Sequence, residues 1–370
     1  MRAPVLTVNA GSTSTKLAVL DGDDVEWSCT VASGDITTAL ADAGDAITRV
    51  VAVGHRVVHG GRDFVEPVRI DDRVVAAIES LSEVAPLHNR AALDGIAAAR
   101  SAVPDVPHVA CFDTAFHAHL PPAARTYGGP YSWVEAGLRR YGFHGLSHEY
   151  AAGRVTQLLG VEPASLRLVS CHLGGGCSLA AIAGGESVDT TMGFTPLDGL
   201  VMATRSGSVD PGILLYLLRH GCTADELDGM LERDSGLLGL SGVSADLREV
   251  LAARDRGIDR ARLAVDVFVH RLSAGIGSMT AALGGADAVA FTGGIGEHSP
   301  EIRARALAPF AWVGALIDEA ANTGADGDTD VSARGAPIRV LVIRSREDIM
   351  IARATRAVGA PKMSGKRAAR

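Results

Sequence analysis

Lysine is nearly missing from this chain. Lys16, Lys362 and Lys366 are the only three among 35 basic residues, and arginine supplies every other fixed positive charge. Asparagine is as scarce, with Asn9, Asn89 and Asn322 alone. The five cysteines are an odd number and show no C-x-x-C spacing, which argues against a disulfide framework and for a reduced, cytoplasmic protein. No apolar run approaches the ~18–20 residues of a membrane span. The N-terminus reaches strand-like residues by Pro4 without the basic-then-apolar start of a signal peptide. A formal net charge of −8 disfavours a nucleic-acid partner. What is present, 370 residues at 47% hydrophobic and 21% charged, reads as a soluble globular protein with room for two domains and a large core.

The two scarce residue types meet in one place. Asn9 and Lys16 stand seven apart in "VLTVNAGSTSTKLAVLDGDD". A compact ammonium can reach a phosphate in a tight turn where a guanidinium fork does not fit. The stretch lacks the glycine spacing and the following helix of a Walker loop. An apolar run after Lys16 ends in an Asp-Gly turn, so the segment reads as strand, Gly-Ser turn, strand. Such a hairpin can cradle phosphate oxygens through its backbone. A second one follows at 166–186, "LRLVSCHLGGGCSLAAIAGGE", and a third glycine cluster at 286–307, "ADAVAFTGGIGEHSPEIRARAL". There a helix is expected to begin with Ser299 as N-cap and Pro300 at its first position. Three strand-then-glycine segments suggest a nucleotide held between two halves, and none spells the GxGxxG of a Rossmann loop.

The rest is α/β. "VVAVGHRVVHGG" and "VPHVACFD" read as buried strands; "RAALDGIAAARSAV" and "DRARLAVDVFVHRLSAGIGSMTAAL" read as amphipathic helices. "PIRVLVIRSREDIMIARATRAV" reads as a last strand leading into a closing helix. The polar stretch 323–335 reads as a loop, and it is not a calcium loop, because Val331 stands where glycine is needed and no glutamate closes it.

These segments, taken together, resemble the acetate/propionate kinase family. The resemblance spans nearly the whole chain and is carried by "VNAGSTSTK", "GHRVVHGG", "PLHN", "FDTAFH", "RRYGFHGLSH", "CHLGGG", "MGFTPLDGLVMATRSGSVDP", "SGVSADLR", "FTGGIGEH" and "SREDIMIA", in family order. It implies a two-domain actin/hexokinase/Hsp70-like (ribonuclease H-like) fold with a nucleotide cleft between the domains. The N-terminal α/β domain would span 1–149, with a closing helix at 349–360 returning to it. A nucleotide-binding and dimerisation domain would span 150–348, followed by a disordered basic tail at 361–370. The implied reaction is reversible in-line transfer of the ATP γ-phosphoryl group to acetate, giving acetyl phosphate and ADP. It would use Mg²⁺, with Mn²⁺ as the other candidate, in a cytoplasmic homodimer with neither nucleic acid nor membrane as partner.

The resemblance also assigns residues. Asn9 and Glu347 would serve the metal, with Asp348 the competing carboxylate. Ser12, Ser14 and Lys16 would line the phosphate side, with ordinary turn chemistry as the alternative. Arg56 would bind the substrate carboxylate, since a guanidinium fork matches a carboxylate bidentately. Arg205 and His144 would act on the transferring phosphoryl group, with His148 in support and Asp113 as the site acid. For the arginines a structural salt bridge is the alternative, and for Asp113 a helix cap. His172, Leu173, Gly174, Gly175 and Gly176 form the second hairpin. Asp246, Leu247 and Arg248, with Gly294, Ile295, Gly296, Glu297 and His298, would hold adenosine. Val58, Leu87, Phe143 and Pro196 would line a methyl-sized pocket, which discriminates one methylene by only ~1–3 kcal/mol, so propionate stays an alternative substrate.

The chain departs from the family pattern at Gly175, where an asparagine is usual, at His298 and at Arg90. Other classes are weaker readings. Histidines cluster between 55 and 172, with His55/His59 and His144/His148 at i, i+4, which invites a metal-hydrolase reading; but "HEYAA" lacks the second histidine of HExxH. A nucleotide-operated binding module of the same fold would not need Arg56, Arg205 and His144 beside a methyl-sized pocket. A sugar kinase needs a base for a hydroxyl, whereas a carboxylate is already ionised at pH 7.

Overall fold

The computed structural model describes residues 3–11, 14–32, 35–83 and 86–359, with the side chains of 83 and 86–88 outside the description. Ser12, the side chain of Leu87 and the basic tail therefore lie outside the described residues. The chain forms two compact units, 1–115 together with 347–370, and 116–346. The expected division at 149/150 would cut the helix Gly145–Leu159, whose Ala151, Ala152 and Val155 are buried in the core of the second unit. The units divide instead at 115/116.

The first unit is built on a six-stranded sheet of β1 (Val5–Ala10), β2 (Ser14–Asp21), β3 (Asp24–Ala32), β4 (Ala52–Val57), β5 (Val68–Arg69) and β6 (His108–Phe112), in the order β3-β2-β1-β4-β6-β5. β1 and β2 form the antiparallel hairpin read from the opening stretch. β1, β4 and β6 run parallel. Covered strands of this kind carry near-continuous apolar runs, as HVACF in β6 does, whereas half-exposed β3 alternates. Alternate residues along β4 serve the two faces. Val53 joins Leu6, Val8, Ile36, Leu40 and Ala99 in one core. Gly54, next along, faces the helix Glu347–Gly359, which lies against β1, β4 and β6. A Cβ at Gly54 would overlap Thr355 Oγ1 and reach 2.5 Å from Ile351 Cγ2. The last helix thus returns to the first unit and packs directly on backbone there.

The second unit repeats the plan with β7 (Arg167–Leu173), β8 (Cys177–Ala183), β9 (Glu186–Thr190), β10 (Ala288–Thr292), β11 (Thr329–Asp330) and β12 (Arg339–Val342). β7, β8 and β9 are antiparallel, β10 and β12 continue parallel to β7, and the two-residue β11 pairs antiparallel at the edge. Each sheet therefore has three antiparallel strands, two further parallel ones, and a short antiparallel edge strand. Ala180 and Ile182 share a core with helix Gly145–Leu159. Leu179 faces the long helix Asp259–Ala282 at Gly275, where an added Cβ would stand 2.7 Å from Leu179 Cδ1.

Two local readings change. The stretch 323–335, expected as loop, contains β11, because Thr329 and Asp330 find partners in Val342 and Leu341. The glycine cluster after β10 is itself a short helix, Gly293–His298, and the expected helix follows it at Pro300–Leu307. No described helix is long and apolar enough to cross a membrane.

Candidate active site

In the first unit, Asn9 and Lys16 are Cα partners across the β1–β2 hairpin, so both side chains stand on one face of the sheet. Asn9 Nδ2 donates to Glu347 Oε2 at 2.6 Å, and Asn9 Oδ1 accepts from Arg56 Nη1 at 3.1 Å. Arg56 Nε and Nη2 donate to the fully buried Asp113, Nη2 at 2.5 Å from Oδ2. The result is an unbroken chain Glu347–Asn9–Arg56–Asp113 at the C-terminal ends of β1, β4 and β6. Burial weighs against the Arg56 charge, but Asp113 beside it, and then Glu347, more than offset this, and its pKa rises above that of an ordinary arginine. The expected residues Asn9, Arg56, Asp113 and Glu347 are thus brought together. Asp113 accepts from Arg56 through both carboxylate oxygens.

Ser14 and Thr15 begin β2, and Gly11 N–H donates to Ser14 O at 2.9 Å to close the turn. Val58 is buried, and Asn89 holds the adjoining backbone with both ends of its amide, accepting from His59 N–H at 3.0 Å and donating to His59 O at 3.2 Å. An oxygen-donor group of an asparagine with one or two carboxylates suits Mg²⁺, which takes few protein ligands and completes its shell with phosphate oxygens and water. Asn9 and Glu347 supply such a set.

In the second unit, His144 caps the helix Gly145–Leu159 at φ 56°, and among the described residues no other non-glycine has positive φ. A histidine held there is strained by order ~1 kcal/mol or more, a cost that collects at functional positions. Its Nδ1 lies 2.8 Å from Ser178 Oγ, and its ring stacks on His172 with centroids 4.2 Å apart. His172 Nδ1 meets Ser147 Oγ at 2.8 Å. Arg205 donates through Nη1 to Pro196 O at 2.8 Å, and Glu232 is 4.0 Å away. Arg205 and His144 converge on Gly176. A Cβ there would stand 2.8 Å from Arg205 Nη2 and 3.2 Å from His144 Nε2. Only glycine leaves that space to both side chains.

Phe143 and Leu173 are buried core residues, and the Phe143 carbonyl accepts from His117 Nε2 at 3.1 Å. Burial pushes the Cys177 thiol up to about 12 despite nearby Arg205, so it is no nucleophile. Among the described residues, no three histidine, cysteine, aspartate or glutamate side chains form a metal-binding group. His117, His144, His148 and His172 spend ring nitrogens on Ser187, Ser178, Ser170 and Ser147.

A cavity of about 590 Å³ opens beside this hairpin, lined by Gly174, Gly175, Asp246, Leu247, Arg248, Leu251, Gly294, Ile295 and His298 among others. Asp246 caps the helix Leu247–Asp255 and pairs with the exposed Arg248 at 2.5 Å. Gly296 and Glu297 lie off its lining. Glu297 Oε1 accepts from Ser345 N–H at 2.9 Å, and both carbonyls are held by Arg303 Nη1 at 2.8 and 2.9 Å. Arg303 is 1% exposed, its remaining bonds go to Asn322, and burial lowers its pKa to about 10. No role was expected for Ser178, Arg303 or Asn322. The available signal for Ser178 was a lone hydroxyl in the otherwise apolar strand "CSLAAIA".

An arginine and a strained histidine sharing one glycine's space, next to a cavity of nucleoside size, define a phosphotransferase of the two-domain kinase class. The chain belongs to the acetokinase family, whose model matches residues 30–353. It is 53% identical to an acetate kinase of Nostoc punctiforme over 309 residues, 83% of this chain and 76% of that protein. It is 52% identical to an acetate kinase of Gloeobacter violaceus over 326 residues, 88% of this chain and 79% of that one. Among solved structures, Porphyromonas gingivalis acetate kinase superposes with a TM-score of 0.88 at 34% identity, covering 96% of this chain and 99% of that one. A propionate kinase from Francisella tularensis does so with a TM-score of 0.88 at 34% identity, covering 96% and 100%.

Proposed function

We propose that this chain transfers the γ-phosphoryl group of ATP directly and reversibly to acetate, giving acetyl phosphate and ADP. The observation that carries the reading is the convergence of Arg205 and His144 on Gly176. Phosphoryl transfer asks a protein mainly for positioning and for neutralising charge on the equatorial oxygens. A guanidinium and an imidazole N–H at one point answer that need. Acetate, with a pKa far below 7, needs no general base. Arg56 holds its carboxylate with the outer hydrogens of Nη1 and Nη2, while Asp113 keeps Nε and the other Nη2 hydrogen, Asn9 keeps the other Nη1 hydrogen, and together they fix the plane of the fork. Lys16 and Ser14 face the phosphates from the first hairpin. Adenosine occupies the cavity bounded by Gly174, Asp246, Leu247, Gly294 and Ile295. Asn9 and Glu347 hold Mg²⁺ or Mn²⁺, which when bound neutralises phosphate charge.

Propionate is the second reading, favoured by the likeness to the Francisella propionate kinase and by the small energy that one methylene is worth. The enzyme acts in the cytoplasm, in keeping with five cysteines free of disulfides. It works as a homodimer through the second unit, where helix Pro211–Arg219 exposes Ile213, Leu215, Tyr216 and Leu218. Incubation with Mg-ATP, hydroxylamine and either acid tests the chemistry. Acetyl hydroxamate forming faster than propionyl hydroxamate is expected, and neither forming would overturn the assignment. Light scattering at micromolar concentration giving a 38.2 kDa particle would remove the dimer.

A further inference from the structure

His144 does not stand alone behind the site. Ser178 Oγ lies between two imidazoles, 2.8 Å from His144 Nδ1 and 2.8 Å from His148 Nε2. The other nitrogen of His148, Nδ1, is 2.9 Å from Ser170 Oγ. Ser170, Ser178 and His148 are all fully buried. Ser178 is the Cα partner of His172, and Ser170 is two residues along β7 from His172. The three side chains therefore share one face of the hairpin, turned to the start of helix Gly145–Leu159. The row Ser170–His148–Ser178–His144 crosses from strand to helix, back to strand, and ends at Gly176.

A hydroxyl has one proton, so Ser178 can donate to only one of its two histidines and must accept from the other. Two directions are open. In one, His148 Nε2–H donates to Ser178, whose proton points to His144 Nδ1, and His144 carries its own proton on Nε2. In the other, every donor is reversed, and a neutral His144 would turn a bare lone pair toward Gly176. Only the first presents an N–H to an incoming phosphoryl oxygen while leaving His144 uncharged next to Arg205 and the stacked His172. Ser170 closes the row by donating to His148 Nδ1. His117, whose ring packs against His148 at 5.7 Å, is engaged with Ser187 and the Phe143 carbonyl and does not compete for these atoms.

We propose that Ser178, backed by His148 and Ser170, is a positioning residue that fixes His144 as the Nε2–H tautomer, making it a neutral hydrogen-bond donor to the phosphoryl group. The proposal rests on the placement of His144 at that group in the reading above. It also accounts for the strained φ of His144, since the cap position brings Nδ1 to Ser178 while Nε2 faces Gly176.

The direct test is ¹⁵N long-range correlation of histidine-labelled full-length protein at pH 7.5, with His144→Gln to assign the resonance. The expected spectrum shows His144 protonated on Nε2 and bare on Nδ1, and Ser178→Ala abolishes this preference. In kinetics, Ser178→Ala should lower kcat about tenfold, as for one lost hydrogen bond, with both KM values within about twofold. The same change in a His144→Ala background should have no further effect, because positioning needs its target. A His144 carrying its proton on Nδ1, or a Ser178 loss that persists in the His144→Ala background, overturns the proposal. A His144→Ala enzyme with undiminished kcat would instead remove His144 from the chemistry, while the spectrum still decides the tautomer.

Discussion

Replacing Gly176 with alanine would set a methyl carbon 2.8 Å from Arg205 Nη2 and 3.2 Å from His144 Nε2. Ordinary carbon–nitrogen contact begins near ~3.4 Å, so about 0.6 Å must be found. His144 is the stiffer neighbour, pinned by Ser178 and stacked on His172. Arg205 must therefore retreat, pulling on its 2.8 Å bond to Pro196 O. Gly176 itself has no positive φ, so alanine meets no backbone strain and the fold should hold. A misplacement of ~1 Å in a catalytic group can cost ~10²-fold, so kcat should fall by about 10- to 100-fold with KM values little changed. Gly175→Ala is the control, since a Cβ at 175 has nothing within 4 Å, and it should keep its kcat. Steady-state kinetics in both directions, with circular-dichroism melting to confirm folding, make the comparison. Equal behaviour of the two variants would refute the claim that Arg205 and His144 need the space at Gly176.

Arg56→Ala should raise the KM for acetate far more than that for ATP, whereas Arg205→Ala should lower kcat by roughly 10²–10³, the scale of one preorganised contact. An unchanged acetate KM in a folded Arg56 variant would end its role as carboxylate binder. Asn9→Ala should raise the Mg²⁺ concentration giving half-maximal rate, and Lys16→Ala should raise the KM for ATP, which titrations of each variant would reveal. Gly175→Asn, restoring the residue usual in the family at a cavity-lining position with open space, should lower the KM for ATP about threefold, as a partly solvated hydrogen bond would. His117 is neutral in the fold, with burial lowering its pKa to about 4. The unfolded chain, with a histidine pKa near ~6.5, takes up this proton first as pH falls, so stability is full above ~6.5 and about 2 kcal/mol is lost by pH 5. His55 and His148, also lowered by burial, add in the same direction. An NMR titration finding His117 at an ordinary pKa would cancel this expectation.

Much of the architecture is written in local pattern. "HVACF" and "AVAFT" are buried throughout and apolar but for His108 and Thr292, because parallel central strands are covered on both faces. "VNAGSTSTK" is a hairpin because a glycine and short hydroxyl residues turn the chain between two apolar runs. Scarcity was informative too. With few asparagines in the chain, Asn9, Asn89 and Asn322 each both donate and accept side-chain hydrogen bonds. Segment signals of this kind need only neighbours along the chain.

What neighbours along the chain cannot supply is which groups meet. β11 exists because β12 offers it partners, and its own sequence, "TD" in a polar stretch, carries no strand signal. That residues 145–149 belong with the second unit is decided by the core to which helix Gly145–Leu159 contributes its apolar face. Asn9 reaches Glu347 across 338 residues, and Arg56 reaches Asp113 across 57. Ser178 gains its place between two histidines only when β8 pairs with β7 beneath a helix that begins at His144. Periodicity and propensity decide which face of each element turns inward; the hydrogen-bond partners of Arg56, the hydrogen bonding of His144 and the space that forbids a side chain at Gly176 come from tertiary packing, because each depends on groups brought together from distant parts of the chain.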